Sequence, residues 1–130
     1  MEYWEQKPRF EIKEDGTIVS RMGTQTNCGG IASIRVRLAR TTGTGITFCA
    51  TQKPDWEGGK FGALVPGSAM PSSMREAVFE GAQAAYQRLG LNEGFLFELI
   101  EALVHPSDAR DSKFRLAGEQ AFTRWIEQQA

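Results

Sequence analysis

The hydrophobic period of this chain changes at Pro71, and this change constrains the fold more than any other sequence feature. Before Pro71, apolar residues alternate with polar ones or form short runs, which indicates strands. After Pro71, apolar residues recur at helical spacing in two stretches that are separated by one apolar run. The predicted order is strand, strand, strand, helix, strand, helix, which is typical of an α+β domain.

Strands are predicted in three regions of the first half. Residues 9–20 are expected to form a hairpin, because Asp15-Gly16 is a two-residue turn signal between alternating stretches. Residues 31–39 alternate between apolar and mostly cationic side chains, which predicts a strand with one buried and one exposed face. Residues 45–50 are predicted to form a short apolar strand.

The two cysteines and the segment that follows the third strand give weaker signals. Cys28 and Cys49 have neither the spacing nor the further ligands of a metal site, and Cys49 is expected in the core. Residues 51–70 carry proline and glycine throughout, so no regular element is predicted there.

Two helices and a central strand are predicted in the second half. Pro71 suits the first turn of a helix, and Gly90 suits its C-terminal end. Residues 95–104 are apolar enough for a central strand, with Glu98 and Glu101 interrupting the apolar run, and residues 112–128 are predicted to form the last helix. The buried face of that helix is expected to carry Phe114, Ala117, Gly118, Ala121, Phe122 and Trp125.

Length and composition are those of a single globular domain over residues 1–130. The net charge of −1 excludes a global basic field that would attract nucleic acid. No apolar run approaches the roughly 20 residues that span a bilayer. The N-terminus has neither the basic nor the apolar region of a signal peptide, so a cytoplasmic protein without membrane contact is predicted.

One spacing pattern near the C-terminus resembles a known family. His105, Asp108, Asp111 and Phe114 stand three residues apart, and Ala117-Gly118 and Ala121-Phe122 follow. This pattern resembles the end of domain IV of elongation factor G and related translational GTPases. In a similar way, Pro71, Ala77-Val78 and Gly81 resemble a helix of that domain.

The resemblance implies a specific fold, that of ribosomal protein S5 domain 2. It predicts about four strands in one sheet, with two helices packed on one face. The chain has no phosphate-binding lysine motif, so it resembles this domain alone, without the GTPase part and without a nucleotide.

The resemblance also implies where a partner would bind, because domain IV presents two loop tips to the ribosome. The corresponding regions here are residues 21–30 and 105–111. The candidate RNA- or ribosome-binding residues in them are Gln25, Asn27, Gly29, His105, Asp108 and Arg110. For Asp108 and Asp111, capping of the last helix is the preferred alternative interpretation.

A second set of cationic residues lies on the predicted strand 31–39 and just beyond it. Arg35 and Arg37 share the exposed face of this strand, and Arg40, with Arg9 and Lys13, is expected to extend this cationic face. We treat Arg35 and Arg37 as candidates for phosphate contact, although exposed arginines on a strand are often only solvated.

These observations predict a non-catalytic binding module whose partner is the ribosome or ribosomal RNA. The sequence has no nucleophile–base pair and no ligand cluster, so no catalytic residue, metal or other cofactor is predicted. The alternative is a domain that mediates protein interaction or self-association and has lost RNA binding. In that case Trp56 is the candidate contact residue. A small enzyme is a third, less favoured hypothesis.

Overall fold

The computed structural model describes residues 10–23, 31–52, 64–103 and 111–129. These residues form a mixed six-stranded sheet and two long helices, so the domain is α+β as predicted. In chain order the elements are β1 (Phe10–Ile12), β2 (Ile18–Gly23), β3 (Ile31–Thr41), β4 (Gly45–Ala50), β5 (Leu64–Pro66), α1 (Ser72–Arg88), β6 (Gly94–Leu103) and α2 (Asp111–Gln129). A short 3-10 turn at Gly67–Ala69 joins β5 to α1.

The strand order across the sheet is β1-β2-β3-β6-β4, and β5 pairs with β6. The neighbours of β6 are antiparallel except β4, which runs parallel to it. The described sheet has six strands, whereas about four were predicted. The hairpin supplies two of them, and β5 lies in the segment 51–70 where no element was predicted. β5 has three residues, which are too few to display the alternation of apolar and polar residues that marks a strand in a sequence.

The predicted turn and stop signals are confirmed at two glycines. Gly16 has a φ of +86° in the turn between β1 and β2. Gly90 has a φ of +67° immediately after α1. The amide of Gly90 bonds the carbonyl of Gln87, and the amide of Leu91 bonds that of Tyr86, which is the Schellman pattern of a helix end.

Both helices pack on the apolar face of the sheet. From α1, Phe79 contacts Phe97 of β6 with ring centroids 6.1 Å apart. From α2, Phe122 contacts Phe95 of the same strand at 5.3 Å. The predicted core position of Trp125 is confirmed, since only 9 % of it is exposed. The fully buried large side chains are Ile18, Ile34, Val36, Val78, Phe95, Phe97, Leu99, Phe114 and Phe122.

The two helices run parallel and in close contact. Along α1, Ser73, Glu80 and Arg88 bond successively to Asp111, Arg115 and Thr123 along α2. Gly81 and Gly118, the glycines of the two motifs that carry the family resemblance, lie at this helix interface. The described fold therefore gives both motif glycines a packing role.

Candidate functional site at one end of the sheet

The chain leaves the described sheet repeatedly at one end, which we call the distal end and define by Gly23, Ile31, Leu64 and Leu103. Gly23 is the register partner of Ile31, where the chain departs before residues 24–30 and returns after them. Leu103 pairs with Leu64 on one side and with Ser33 on the other. The chain therefore departs into residues 24–30 and 104–110 and returns from them at the distal end. It also returns there from residues 53–63. The exception is the departure after Gln52, which follows the last residues of β4.

The opposite end of the sheet is closed by short connections. β3 and β4 are joined at Gly43, which has a φ of +93°, and both strand ends pair with Gly94. The β1–β2 turn and the connection after α1 also lie toward this end. The long connections and the short turns thus lie toward opposite ends of the sheet.

Both helices begin near the distal end. α2 starts at Asp111, after Leu103 has ended β6 at that end, and the hydroxyl of Ser73 in the first turn of α1 donates to Asp111 at 3.4 Å. Helix N-termini carry partial positive charge, which favours anions nearby. Asp111 is the first residue of α2, where its negative charge suits the helix dipole, and capping of the helix by Asp108 or Asp111 stays a prediction.

Most of the predicted site residues lie outside the described residues. Gln25, Asn27 and Gly29 belong to 24–30, His105, Asp108 and Arg110 belong to 104–110, and Trp56 belongs to 53–63. The structure describes the elements on both sides of each segment. It places the ends of these elements at the distal end, except the departure after Gln52, and the roles of the seven residues stay predictions.

The structure describes Arg35 and Arg37. They lie on the face of the sheet opposite to the helices, which we call the outer face, and the face that the helices cover is the inner face. Arg35 donates to Asp15 at 2.9 Å and lies 3.7 Å from a carboxylate oxygen of Glu101. Arg37 donates to Glu98 at 3.3 Å. The predicted alternation of β3 is confirmed, but each arginine on the exposed face already has an acidic partner.

The acidic partners on β6 share this face because of a β-bulge. Glu98 and Glu101 are three residues apart, a spacing that would place them on opposite faces of a regular strand. The register shifts between Arg35 and Val36, so that Arg35 pairs with Glu101 and Val36 with Leu99. The extra residue, Ile100, brings both glutamates to the exposed face. The broken alternation of residues 95–104 was the only sequence signal of this arrangement.

Two expectations about single residues are wrong. Arg40 lies on the helix side of the sheet, where its guanidinium is 5.4 Å from the ring centre of Phe95 and is paired with Glu93. Cys49 is exposed and not in the core. It is the register partner of Glu98, so it lies on the outer face of an edge strand.

Two titrating groups on the outer face have shifted pKa values. The hydroxyl and the backbone amide of Thr17 donate to Asp15 and, with Arg35 nearby, hold the pKa of this carboxyl below its ordinary value. Partial burial and the charge of Glu98 raise the pKa of the Cys49 thiol. A raised pKa disfavours the thiolate, which is the nucleophilic form of a cysteine.

The described residues form neither a metal-binding group of side chains nor a membrane-spanning helix. Across residues 10–23, 31–52, 64–103 and 111–129, no group of three or more His, Cys, Asp or Glu side chains is arranged to hold a metal ion. Among these residues no helix combines the length and apolar character needed to cross a membrane. The sequence matches no protein-family model, and no curated protein matches it.

Proposed function

We propose that this domain is a non-catalytic binding module of the elongation factor G domain IV type, with the ribosomal protein S5 domain 2-like fold. In this proposal it acts in the cytoplasm and presents residues 21–30 and 105–111 to the ribosome or to ribosomal RNA. One observation carries the proposal: the strand ends that flank both segments lie together at the distal end.

The order and packing of the elements support this proposal. The two segments that the family resemblance marks as tips flank β3 and β6, which are neighbours in the sheet. The strand ends next to both segments are thus adjacent in one sheet. The N-termini of α1 and α2 near the same end add partial positive charge, which favours a phosphate-rich partner.

The charge distribution favours the distal end over the outer face of the sheet. Arg35 and Arg37 are paired with Asp15, Glu98 and Glu101, so a phosphate would have to displace a carboxylate to reach them. Arg110 and His105 stand in the segment that enters α2. We therefore place the main contact at the distal end and give Arg35 and Arg37 a secondary role.

Co-sedimentation with purified ribosomes tests the proposal. The full chain is centrifuged with ribosomes at low and at moderate salt, beside the double variant His105→Ala, Arg110→Ala. Salt-sensitive pelleting of the unmodified chain and its loss in the double variant are expected, because phosphate contacts weaken as salt increases. Arg37→Ala is the matched control, since it also removes an arginine but lies on the outer face.

Two results would overturn the proposal. One is no pelleting of the unmodified chain at low salt. The other is equal pelleting by the double variant, which would place any ribosome contact elsewhere on the domain. Circular dichroism of each variant establishes that a loss of pelleting does not come from unfolding.

A further inference from the structure

The two edges of the sheet differ in their protection against pairing with another strand. β1 forms one edge and has three residues, with Glu11 within it and Lys13, Glu14 and Asp15 directly after it. β4 forms the other edge and has six residues, Gly-Ile-Thr-Phe-Cys-Ala, without a charge or a proline. Natural sheets protect their edges with short strands, charges, prolines or bulges. Within the described residues β1 has such protection, and β4 has none.

The hydrogen-bond pattern of β4 fixes which of its backbone groups point outward. The amide of Thr51 donates to the carbonyl of Leu99 at 2.9 Å, and Ala50 is the register partner of Leu99. In a parallel ladder with this register, the odd-numbered residues of β4 bond to β6. The amide and carbonyl groups of Ile46, Phe48 and Ala50 therefore point away from β6, and no described strand lies on that side.

We propose that the occupant of this edge is β4 of a second copy of the chain, paired antiparallel about a two-fold axis at Phe48. The outward groups occur on alternate residues that are symmetric about Phe48. When Phe48 pairs with Phe48 and Ile46 with Ala50 of the second copy, every outward amide and carbonyl group of these residues forms a hydrogen bond. This register also keeps inner-face residues opposite inner-face residues, as antiparallel pairing requires.

The neighbourhood of β4 is compatible with self-association. No charged residue lies on β4, so two copies approach without like-charge repulsion. Beside the strand, Phe79 of α1 packs on Phe48 with ring centroids 4.6 Å apart, and both rings line an open depression with Gln83 and Ala84. The charged residues of that depression, Glu80 and Arg115, neutralise each other at 3.1 Å.

The interface includes the exposed flank of α1 in addition to the strand edge. Specific interfaces bury about 1,200–2,000 Å² in total, and six residues of strand are short for such an area. The two-fold axis brings the depression of one copy beside that of the other on the inner side of the joined sheet. Phe48 and Phe79 of both copies then form one apolar cluster across the junction.

Disulfide trapping tests the register directly. On the outer face, Thr47 of one copy lies opposite Cys49 of the other in a non-hydrogen-bonded pair, in which Cα atoms are about 4.5 Å apart. This separation lies within the disulfide range of about 4.4–6.8 Å. In a Cys28→Ser background, Thr47→Cys is expected to give a reducible covalent dimer under mild oxidation.

Two matched controls carry one thiol at the edge. Cys28→Ser alone keeps only Cys49, and Cys28→Ser with Thr47→Cys and Cys49→Ser keeps only the new thiol. In both controls the thiols of the two copies are diagonal neighbours about 7–8 Å apart at the backbone, too far for efficient bonding. Equal cross-linking in all three proteins, or none in any, would overturn the proposed register.

A proline variant tests the dimer without cysteine chemistry. The amide of Ala50 points outward, so Ala50→Pro removes a donor to the second copy and leaves the ladder to β6 intact. Its dimer is expected to dissociate at least about tenfold more readily in sedimentation equilibrium, since at least two intermolecular bonds are lost. Thr47→Pro removes an amide that bonds to β6, so it is expected to destabilise the monomer instead.

A single species of monomer mass for the unmodified chain up to the highest soluble concentration would overturn the dimer. This outcome would leave the proposed ribosome contact unaffected, because β4 and its α1 flank lie outside the segments 21–30 and 105–111. Conversely, if the chain dimerises but does not pellet with ribosomes, the dimer proposal stands and the ribosome proposal fails.

Discussion

Gly118 of α2 lies so close to Val78 of α1 that no side chain fits between the two helices. A Cβ atom on Gly118 would be 2.2 Å from the carbonyl oxygen of Val78. A Cβ atom on Gly81 would similarly be 1.9 Å from the carbonyl oxygen of Arg115. Both neighbours are backbone atoms in helices, which cannot rotate away as a side chain can. The helices therefore approach each other through these glycines.

We expect Gly118→Ala to lower the free energy of unfolding by about 1–3 kcal/mol, because the added methyl group forces the helices apart. Helix propensity acts in the opposite direction, since alanine is favoured over glycine by about 1 kcal/mol in a helix interior. Urea unfolding followed by circular dichroism measures the difference. Gln87→Ala, on the exposed face of α1, is the control and should change stability little. A Gly118→Ala variant as stable as the unmodified chain would contradict the close approach.

The hydroxyl of Tyr86 bridges β4 and β6 where their ladder begins. It accepts a hydrogen bond from the amide of Gly45 at 2.9 Å and donates one to the carbonyl of Glu93 at 2.8 Å. We expect Tyr86→Phe to lower the free energy of unfolding by about 1–2 kcal/mol, because both groups lose a partner. Amide exchange adds a local readout: Gly45 should exchange faster, while Thr51, which bonds to Leu99, should not change. Equal acceleration at both amides would indicate general loosening of β4.

The spacing of apolar residues predicted the strands and helices that bury one face against the core. The alternation of β3 identified its buried face because Ile34, Val36 and Leu38 pack under the helices while the residues between them meet water. The helical spacing after Pro71 predicted α1, and Gly90 marked its end. These predictions were correct because burial on one face imposes a period that a single sequence displays.

The features that the sequence did not reveal depend on pairing between distant strands. The bulge at Ile100 changes the period of β6 within the strand, so Glu98 and Glu101 interrupted the pattern without indicating which arginines they meet. Cys49 was expected in the core because its strand is apolar, but β4 is an edge strand with one face exposed. The gathering of strand ends at the distal end likewise follows from strand order, which local periodicity does not encode.

Acid should remove a stabilising contribution from Asp15. Hydrogen bonds from Thr17 and the nearby Arg35 hold the pKa of this carboxyl below its ordinary value in the folded state. The contribution is therefore fully present above the ordinary pKa of about 3.9 and is lost as the pH falls through the lower folded value. We expect Asp15→Asn to be less stable than the unmodified chain at pH 7 and equally stable in strong acid.

The source of this pKa shift can be tested by NMR titration of the Asp15 carboxyl. The Thr17 hydroxyl donates to Asp15 at 2.6 Å and is the largest cause of the shift. Thr17→Val should therefore raise the pKa of Asp15 toward its ordinary value. Thr17→Ser keeps a hydroxyl and should leave the pKa nearly unchanged. A pKa that is the same in all three proteins would assign the shift to the backbone amide of Thr17 and to the arginines.

The paired state of Arg37 predicts how salt affects RNA binding. Its guanidinium donates to Glu98 at 3.3 Å, so it releases few counterions from RNA even if RNA approaches the outer face. We expect Arg37→Ala to leave the slope of log affinity against log salt nearly unchanged. Arg110→Ala should make that slope shallower by about 0.7–0.9, the loss of one phosphate contact. Glu98→Gln, which frees Arg37, should strengthen binding at low salt. A slope that falls equally in the two arginine variants would place the outer face of the sheet within the contact.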